Sequence, residues 1–433
     1  MNRPRHPLLG VALSLGAAFA TACAFWDMGG YSTGADAGSD AGVDAGVDAP
    51  PVDAAKDANG DAATCVPTFS VPYPGLEIRE ALDPSKEIAY VTSGHAAPDG
   101  GVSTGYLSVV DACSGKITKT FDPPLAGGKA TWYLGAPAIS GTAVYAASGS
   151  NPPLAGYMRF DTQTEVFTQA VLAKPSSYTD EIWTVTAPAS GSVWISGTSS
   201  IDHAPSGIWT SKGDATGQPC GYFPPEAPEN HGRAMIASGT DVYQAIADQS
   251  LKILHFDDAA CAAKAPCGTC LPTWSTTSFV APGGTGSQSA YALRLVGTKL
   301  YMSGFAVVTS TDFLGFVVEL DLPSRTWGPV FTFNPSTAID AVVSLAGSPD
   351  GTQLFAGAVK SWDGSPKFVS ATGLLLTLPI PFGASPQATS INLPFVAPWS
   401  LDADARGVYI AGLTDTSDGL FIKCQSSTQC PTK

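Results

Sequence analysis

The chain has 433 residues, 46 of them Gly and 35 Pro, with only 14% charged and a formal net charge of −15. So many turn-formers exclude a coiled coil or long helical bundle, and 44% hydrophobic residues with 9% aromatics exclude wholesale disorder. Binding to nucleic acid is disfavoured, because 22 basic residues face 37 acidic ones and no basic run occurs.

The N-terminus reads as an address. Arg3, Arg5 and His6 form a basic start, and an apolar stretch runs from Leu8 to Phe19. That stretch is well short of the ~20 residues a membrane-spanning helix needs, and it suits a signal peptide over 1–22. Ala20 and Ala22 supply a small-residue cleavage site directly before Cys23. This arrangement resembles the lipobox of bacterial lipoproteins, which implies a diacylated Cys23 as mature N-terminus and a membrane partner. The expected location is the cell envelope, as an outer-membrane or surface lipoprotein; simple secretion is the alternative. The cysteine count agrees, since nine cysteines cannot all pair and removing Cys23 leaves eight.

Residues 23–64 read as the anchor cysteine followed by a low-complexity linker. Asp36, Asp40, Asp44 and Asp48 recur every four residues among Ala, Gly and Val. Such a segment buries too little apolar surface to offset its ordering entropy. An acidic spacer is the plain reading. Calcium is the one cofactor its carboxylates leave open, without the spacing of a known calcium loop; otherwise no cofactor and no metal site is expected.

From 65 to 433 the chain repeats. A strand of apolar–aromatic–x–small form recurs seven times, with its aromatic at 90, 145, 194, 243, 301, 355 and 409, spaced 49 to 58 residues apart. Each is preceded by a turn such as Ser140-Gly141, Ser190-Gly191 or Gly297-Thr298, which reads as a hairpin. Third and fourth strands follow, as in Gly105 to Asp111 and Lys116 to Phe121. Four strands per ~50 residues, repeated seven times, predict an all-β fold, a seven-bladed β-propeller. The phrase Val317-Val318-Glu319-Leu320-Asp321 followed by Thr326-Trp327 resembles the third strand of kelch-like repeats. Where kelch repeats carry a Gly-Gly pair after the second strand, this chain has Ser-Gly or Ala-Gly. The segment from Val66 to Tyr73 has no blade of its own and is expected to complete the last one, closing the ring.

Cys65, Cys113, Cys220, Cys261, Cys267, Cys270, Cys424 and Cys430 are expected to be structural disulfides, pairing within an end set and a middle set. A bridge from Cys65 to Cys430 or Cys424 would pin the ring closure. Cys267-Gly-Thr-Cys270 also admits a zinc site with His255 and Cys261, or a redox pair; neither has regular spacing or a thioredoxin-like context.

No phosphate loop, nucleophile elbow or His-Glu-x-x-His occurs. The polar residues placed at one loop face are the site candidates. His95, His203, His231, Asp180 and Glu181 could serve acid–base chemistry. Asp99, Asp202, Arg233, Asp340 and Trp399 could line a ligand face. Trp132, Trp183, Trp362 and Trp399 fall off the repeated aromatic register and offer stacking surfaces. The expected function is therefore a membrane-tethered binding module for a protein, peptide or glycan. The alternatives are a propeller hydrolase or lyase using a divalent cation or a His/carboxylate pair, and an envelope scaffold.

Overall fold

The computed structural model describes residues 65–431 except 74–76, 96–103, 123–132, 150–155, 172–177, 202–203, 214–218, 224–230, 248–249, 263–267, 286, 365–369 and 417. Residues 1–22, expected to be a signal peptide, Cys23, the acidic segment up to residue 64, Trp132 and Cys267 lie outside the described residues.

Apolar runs broken by Gly, Ser and Asp fold into antiparallel strands joined by short turns. β1 (Phe69–Tyr73) precedes a first sheet of β2 (Glu77–Asp83), β3 (Ile88–His95), β4 (Thr104–Asp111) and β5 (Ile117–Phe121). β6 (Tyr133–Ser140), β7 (Ala143–Gly149), β8 (Gly156–Asp161) and β9 (Val166–Val171) form the next. β10 (Tyr178–Thr186), β11 (Val193–Ile201), β12 (Ala204–Gly213) and β13 (Pro219–Phe223) follow. β14 (His231–Ser238), β15 (Asp241–Ala247) and β16 (Leu251–Asp257) come next, then a helical turn α1 (Asp258–Ala262). β17 (Gly268–Thr269) adds in parallel to β13, while β18 (Trp274–Ser275) completes the sheet of β14–β16.

β19 (Gln288–Val296), β20 (Lys299–Val307), β21 (Phe313–Asp321) and β22 (Thr326–Phe333) form one antiparallel run. β23 (Ile339–Gly347), β24 (Gln353–Trp362), β25 (Thr372–Pro379) and β26 (Thr389–Asn392) form another, joined to it by one bridge, Phe313 to Ile339. The last sheet holds β27 (Ala397–Asp404), β28 (Gly407–Leu413) and β29 (Gly419–Cys424). Its fourth strand is β1, with Phe69 opposite Lys423 and Tyr73 opposite Gly419. The otherwise exposed edge of β29 is thus covered by the start of the domain.

Local chemistry explains the turns. Gly297, between β19 and β20, has φ of 59°, a left-handed turn conformation that a side chain disfavours. At the ends of third strands, Asp111, Asp161 and Asp321 turn back to accept backbone N–H groups of Ser114, Thr164 and Ser324 at 2.6, 2.9 and 3.0 Å. The chain stays in register there because the carboxylate replaces the missing ladder partner.

The core lies between sheets. Tyr90 and Leu107 pack with Val144 and Phe160; Tyr145 and Tyr157 with Val185 and Ile195; Trp194 with Val242 and Phe256. Ala245 and Ile253 pack with Leu300 and Phe316, Tyr301 with Leu354 and Leu376, and Phe355 with Ile410 and Ile422. A further cluster joins last to first, with Tyr409 and Phe421 against Ile78, Leu82 and Val91. All seven repeated aromatics are buried. The first strands follow the same order: β2, β6, β10, β14, β19, β23 and β27 each lie against the next, and β27 lies against β2.

Buried charge is compensated. Asp258 accepts from Ser190, Ser192 and Trp194 and pairs with the buried Lys212 Nζ at 2.8 Å. These contacts hold the Asp258 carboxyl below its ordinary range even though burial pushes it up.

The cysteines depart from expectation in two respects. Cys424 bridges Cys430, so neither is available to Cys65; the first and last sheets are joined instead by the β1–β29 pairing and the shared apolar cluster. Cys65 and Cys113 are disulfide-bonded. Cys261, on α1, is a buried thiol hydrogen-bonded to Cys270 rather than a half-cystine.

Candidate functional site

Six of the first strands gain an extra residue against their neighbours. The register shifts across Gly135-Ala136 in β6, Trp183 in β10, Gly232-Arg233 in β14, Tyr291 in β19, Val343 in β23 and Pro398-Trp399 in β27. A bulge bends its strand and re-aims the residues it carries. The facing second strand must come very close there, which explains the Ser-Gly and Ala-Gly signature. A Cβ on Gly304 would stand 1.8 Å from the Ser289 carbonyl oxygen, and one on Gly412 would stand 2.3 Å from that of Ala397.

β2 has a continuous ladder to β3, and its inner edge is satisfied differently. The Glu80 N–H donates to Ser400 Oγ at 2.9 Å, and the Leu82 N–H donates to Asp402 Oδ2 at 3.2 Å. Side chains of β27 thus take the place of a strand partner. Asp402 Oδ1 also meets Arg294 of β19 at 3.4 Å. Arg294 reaches past the intervening β23 to do so.

At this junction Arg79 donates to the Trp399 carbonyl at 3.2 Å, and its guanidinium lies 5.4 Å from the Trp399 ring centre. Beside it, the Glu80 side chain follows Ile78 and precedes Leu82 on the apolar face of β2, and the residue is 5% exposed. Ser400 Oγ donates to Glu80 Oε2, while Oε1 has no hydrogen-bond partner. Burial pushes the Glu80 carboxyl up to about 8, with the nearby Asp402 charge adding to it; the Ser400 hydrogen bond and Arg79 oppose the rise. At neutral pH Glu80 therefore retains its proton to a large extent.

The expected site residues are distributed as follows. Asp99, Asp202 and His203 lie outside the described residues. His95 ends β3, Asp180 and Glu181 lie near the start of β10, His231 and Arg233 near the start of β14, and Cys220 in β13. Asp340, in β23, is no open ligand group: it is fully buried and accepts from Ser336 N, Ser336 Oγ and Ser361 N, each at 2.9 Å. Its carboxyl organises the 336–340 turn, because a buried acceptor needs such donors. Trp362 is fully buried, and Trp399 is buried with Arg79 over its ring, so neither offers an open stacking face.

Of the expected zinc ligands, Cys267 lies outside the described residues and His255 is engaged by other side chains. Its Nδ1 meets Thr273 Oγ1 and its Nε2 lies 2.7 Å from Asp241 Oδ1, so both ring nitrogens are engaged. Among the described residues no group of three metal-ligating side chains occurs.

Arg79, Glu80, Arg294, Ser400 and Asp402 were absent from the expected site. One signal was legible, the carboxylate at Glu80 inside the alternation Ile78-x-Glu80-x-Leu82. The partners on β27 and β19 lie more than 200 residues away in sequence, and nothing local marks them.

No family model and no curated protein matches the chain. Solved structures do. A chain from "Crystal Structure of Mitotic Checkpoint Complex" has a TM-score of 0.52 at 10% identity, covering 89% of this chain and 99% of that one. "Structure of U3-55K" has a TM-score of 0.52 at 12% identity, covering 82% of this chain and 98% of that one. These neighbours are WD40-type β-propellers, and the all-β arrangement of this chain is propeller-like. At such identity the likeness concerns fold alone.

Proposed function

We propose that the chain is a lipid-anchored, extracytoplasmic seven-bladed β-propeller with kelch-like blade layout that binds a protein, peptide or glycan at the face where its first strands begin. The observation that carries this reading is the set of bulged first strands, whose register shifts set Trp183, Arg233, Tyr291 and Trp399 at corresponding backbone positions of neighbouring first strands. Aromatic and guanidinium residues gathered along a sheet edge are recognition chemistry, and Trp399, itself buried, serves it by holding Arg79. Seven antiparallel four-strand runs, with the last packed on the first, support the blade count. The Asp321 turn before Trp327 supports the kelch-like layout. Propellers of this type commonly serve interactions, and one neighbour is named for the complex that contains it. The lipobox-like Cys23 and the acidic linker support a tether holding the domain off a membrane.

The test is a peptide and glycan array probed with the full chain, its Arg233→Ala variant and its Trp399→Ala variant. Ligands captured by the parent and lost by folded variants support the reading. Capture by none, or by all equally, removes it. Metabolic labelling with palmitate, present in the parent and absent in Cys23→Ser, tests the anchor.

A further inference from the structure

We infer that the junction of β2 and β27 is a binding site for the C-terminal carboxylate of a peptide, with Arg79 as its anion-recognising group. The inference rests on the binding reading above and names its ligand class.

Charge bookkeeping at the junction leads there. Asp402 is already engaged by Arg294 at 3.4 Å. Glu80 is 5% exposed in an apolar cluster, with one carboxyl oxygen on Ser400 and the other lacking a donor, and its proton is retained near neutral pH. Arg79 is half-buried. Among the described residues it has no ion-pair partner, in a domain of 19 basic and 29 acidic residues.

The geometry of Arg79 suits a carboxylate. The Trp399 ring below and the Trp399 carbonyl at 3.2 Å fix the guanidinium plane. One N–H is spent on that carbonyl, and a guanidinium carries five in a rigid fork that matches a carboxylate's two oxygens. A single cation balances a monoanion; phosphate sites gather further cations or a helix N-terminus. A sugar acid would seek an open aromatic face, and the Trp399 face is covered. Arg79 and Trp399 are each third in their strands, whereas Asp402 is sixth in β27 and Arg294 seventh in β19. The Arg294–Asp402 pair thus bars the wall of first strands deeper along their length. A wall barred in this way admits a chain end better than a passing chain.

The test titrates the full chain by calorimetry with acetyl-Ala-Ala-Ala as free acid and as C-terminal amide. The free acid is expected to bind roughly ten- to hundred-fold more tightly, the range of one charge-assisted fork. Arg79→Gln should erase that difference, and Arg79→Lys should retain part of it; a thermal melt of each variant reports folding. If Arg79→Gln does not fold, the acid-versus-amide comparison in the parent and in Arg79→Lys decides. Equal binding of acid and amide, absence of binding by the acid, an unaffected folded Arg79→Gln, or tighter binding of inorganic phosphate or digalacturonate overturns the inference. An array ligand lost on Trp399→Ala or Arg233→Ala yet indifferent to Arg79→Gln would remove this inference and leave the proposed function standing.

Discussion

Gly304 of β20 faces Ser289 of β19 so closely that a β-carbon on the glycine would lie 1.8 Å from the serine carbonyl oxygen. The bulge at Tyr291 produces this approach, and Gly197, Gly357 and Gly412 stand at the corresponding shifts of their own sheets. The small residue after each repeated aromatic is thus a consequence of how the first strands bend. Gly304→Ala should force β19 and β20 apart and destabilise the domain by at least about 1–3 kcal/mol. The urea midpoint checks this, with an unchanged midpoint counting against the account.

Glu80 gives a pH signature. In the fold it is pushed up to about 8, above the ordinary carboxylate value of 4.5, so the folded protein holds a proton that the unfolded chain releases. The stabilisation is full below about 4.5 and is lost as pH rises through about 8. Glu80→Gln, neutral at every pH, should flatten this dependence, with a difference on the order of a few kcal/mol between pH 5 and pH 8. Denaturant midpoints of both proteins at the two pH values measure it; parallel curves would show that Glu80 is already ionised in the fold.

Asp258 and Lys212 form a buried pair whose halves depend on each other. Lys212→Met leaves the Asp258 carboxylate with neutral donors alone and should cost about 3–5 kcal/mol. Lys212→Met combined with Asp258→Asn should lose clearly less than the sum of the single variants, because no charge is then stranded. A double-mutant cycle in urea reads the coupling, and strict additivity would contradict it.

Cys261 should be inert in the native state. Its thiol is hydrogen-bonded to Cys270 and buried, and both effects push its ionisation up. Iodoacetamide at pH 8 should leave Cys261 unmodified in the folded chain and alkylate it after denaturation, as peptide mass spectrometry would show. The same digest should recover Cys424 linked to Cys430.

The repeat period, the four-strand grouping and the burial of the seven aromatics follow from sequence, because strand patterning and turn residues act over neighbouring positions. Completion of the last sheet by Phe69–Tyr73 also follows, since that segment has no neighbours of its own to pair with. Tertiary structure decided the rest. Asp340 looks like a loop-face acid until its three donors are seen around it. Cys65 cannot reach for Cys430, because Cys424, six residues away, is already there. The Arg79, Glu80, Ser400 and Asp402 junction exists only because the first and last sheets meet, and the state of each group depends on partners some 320 residues distant. Backbone periodicity is local physics and legible in order along the chain; burial and electrostatic pairing are properties of the packed whole.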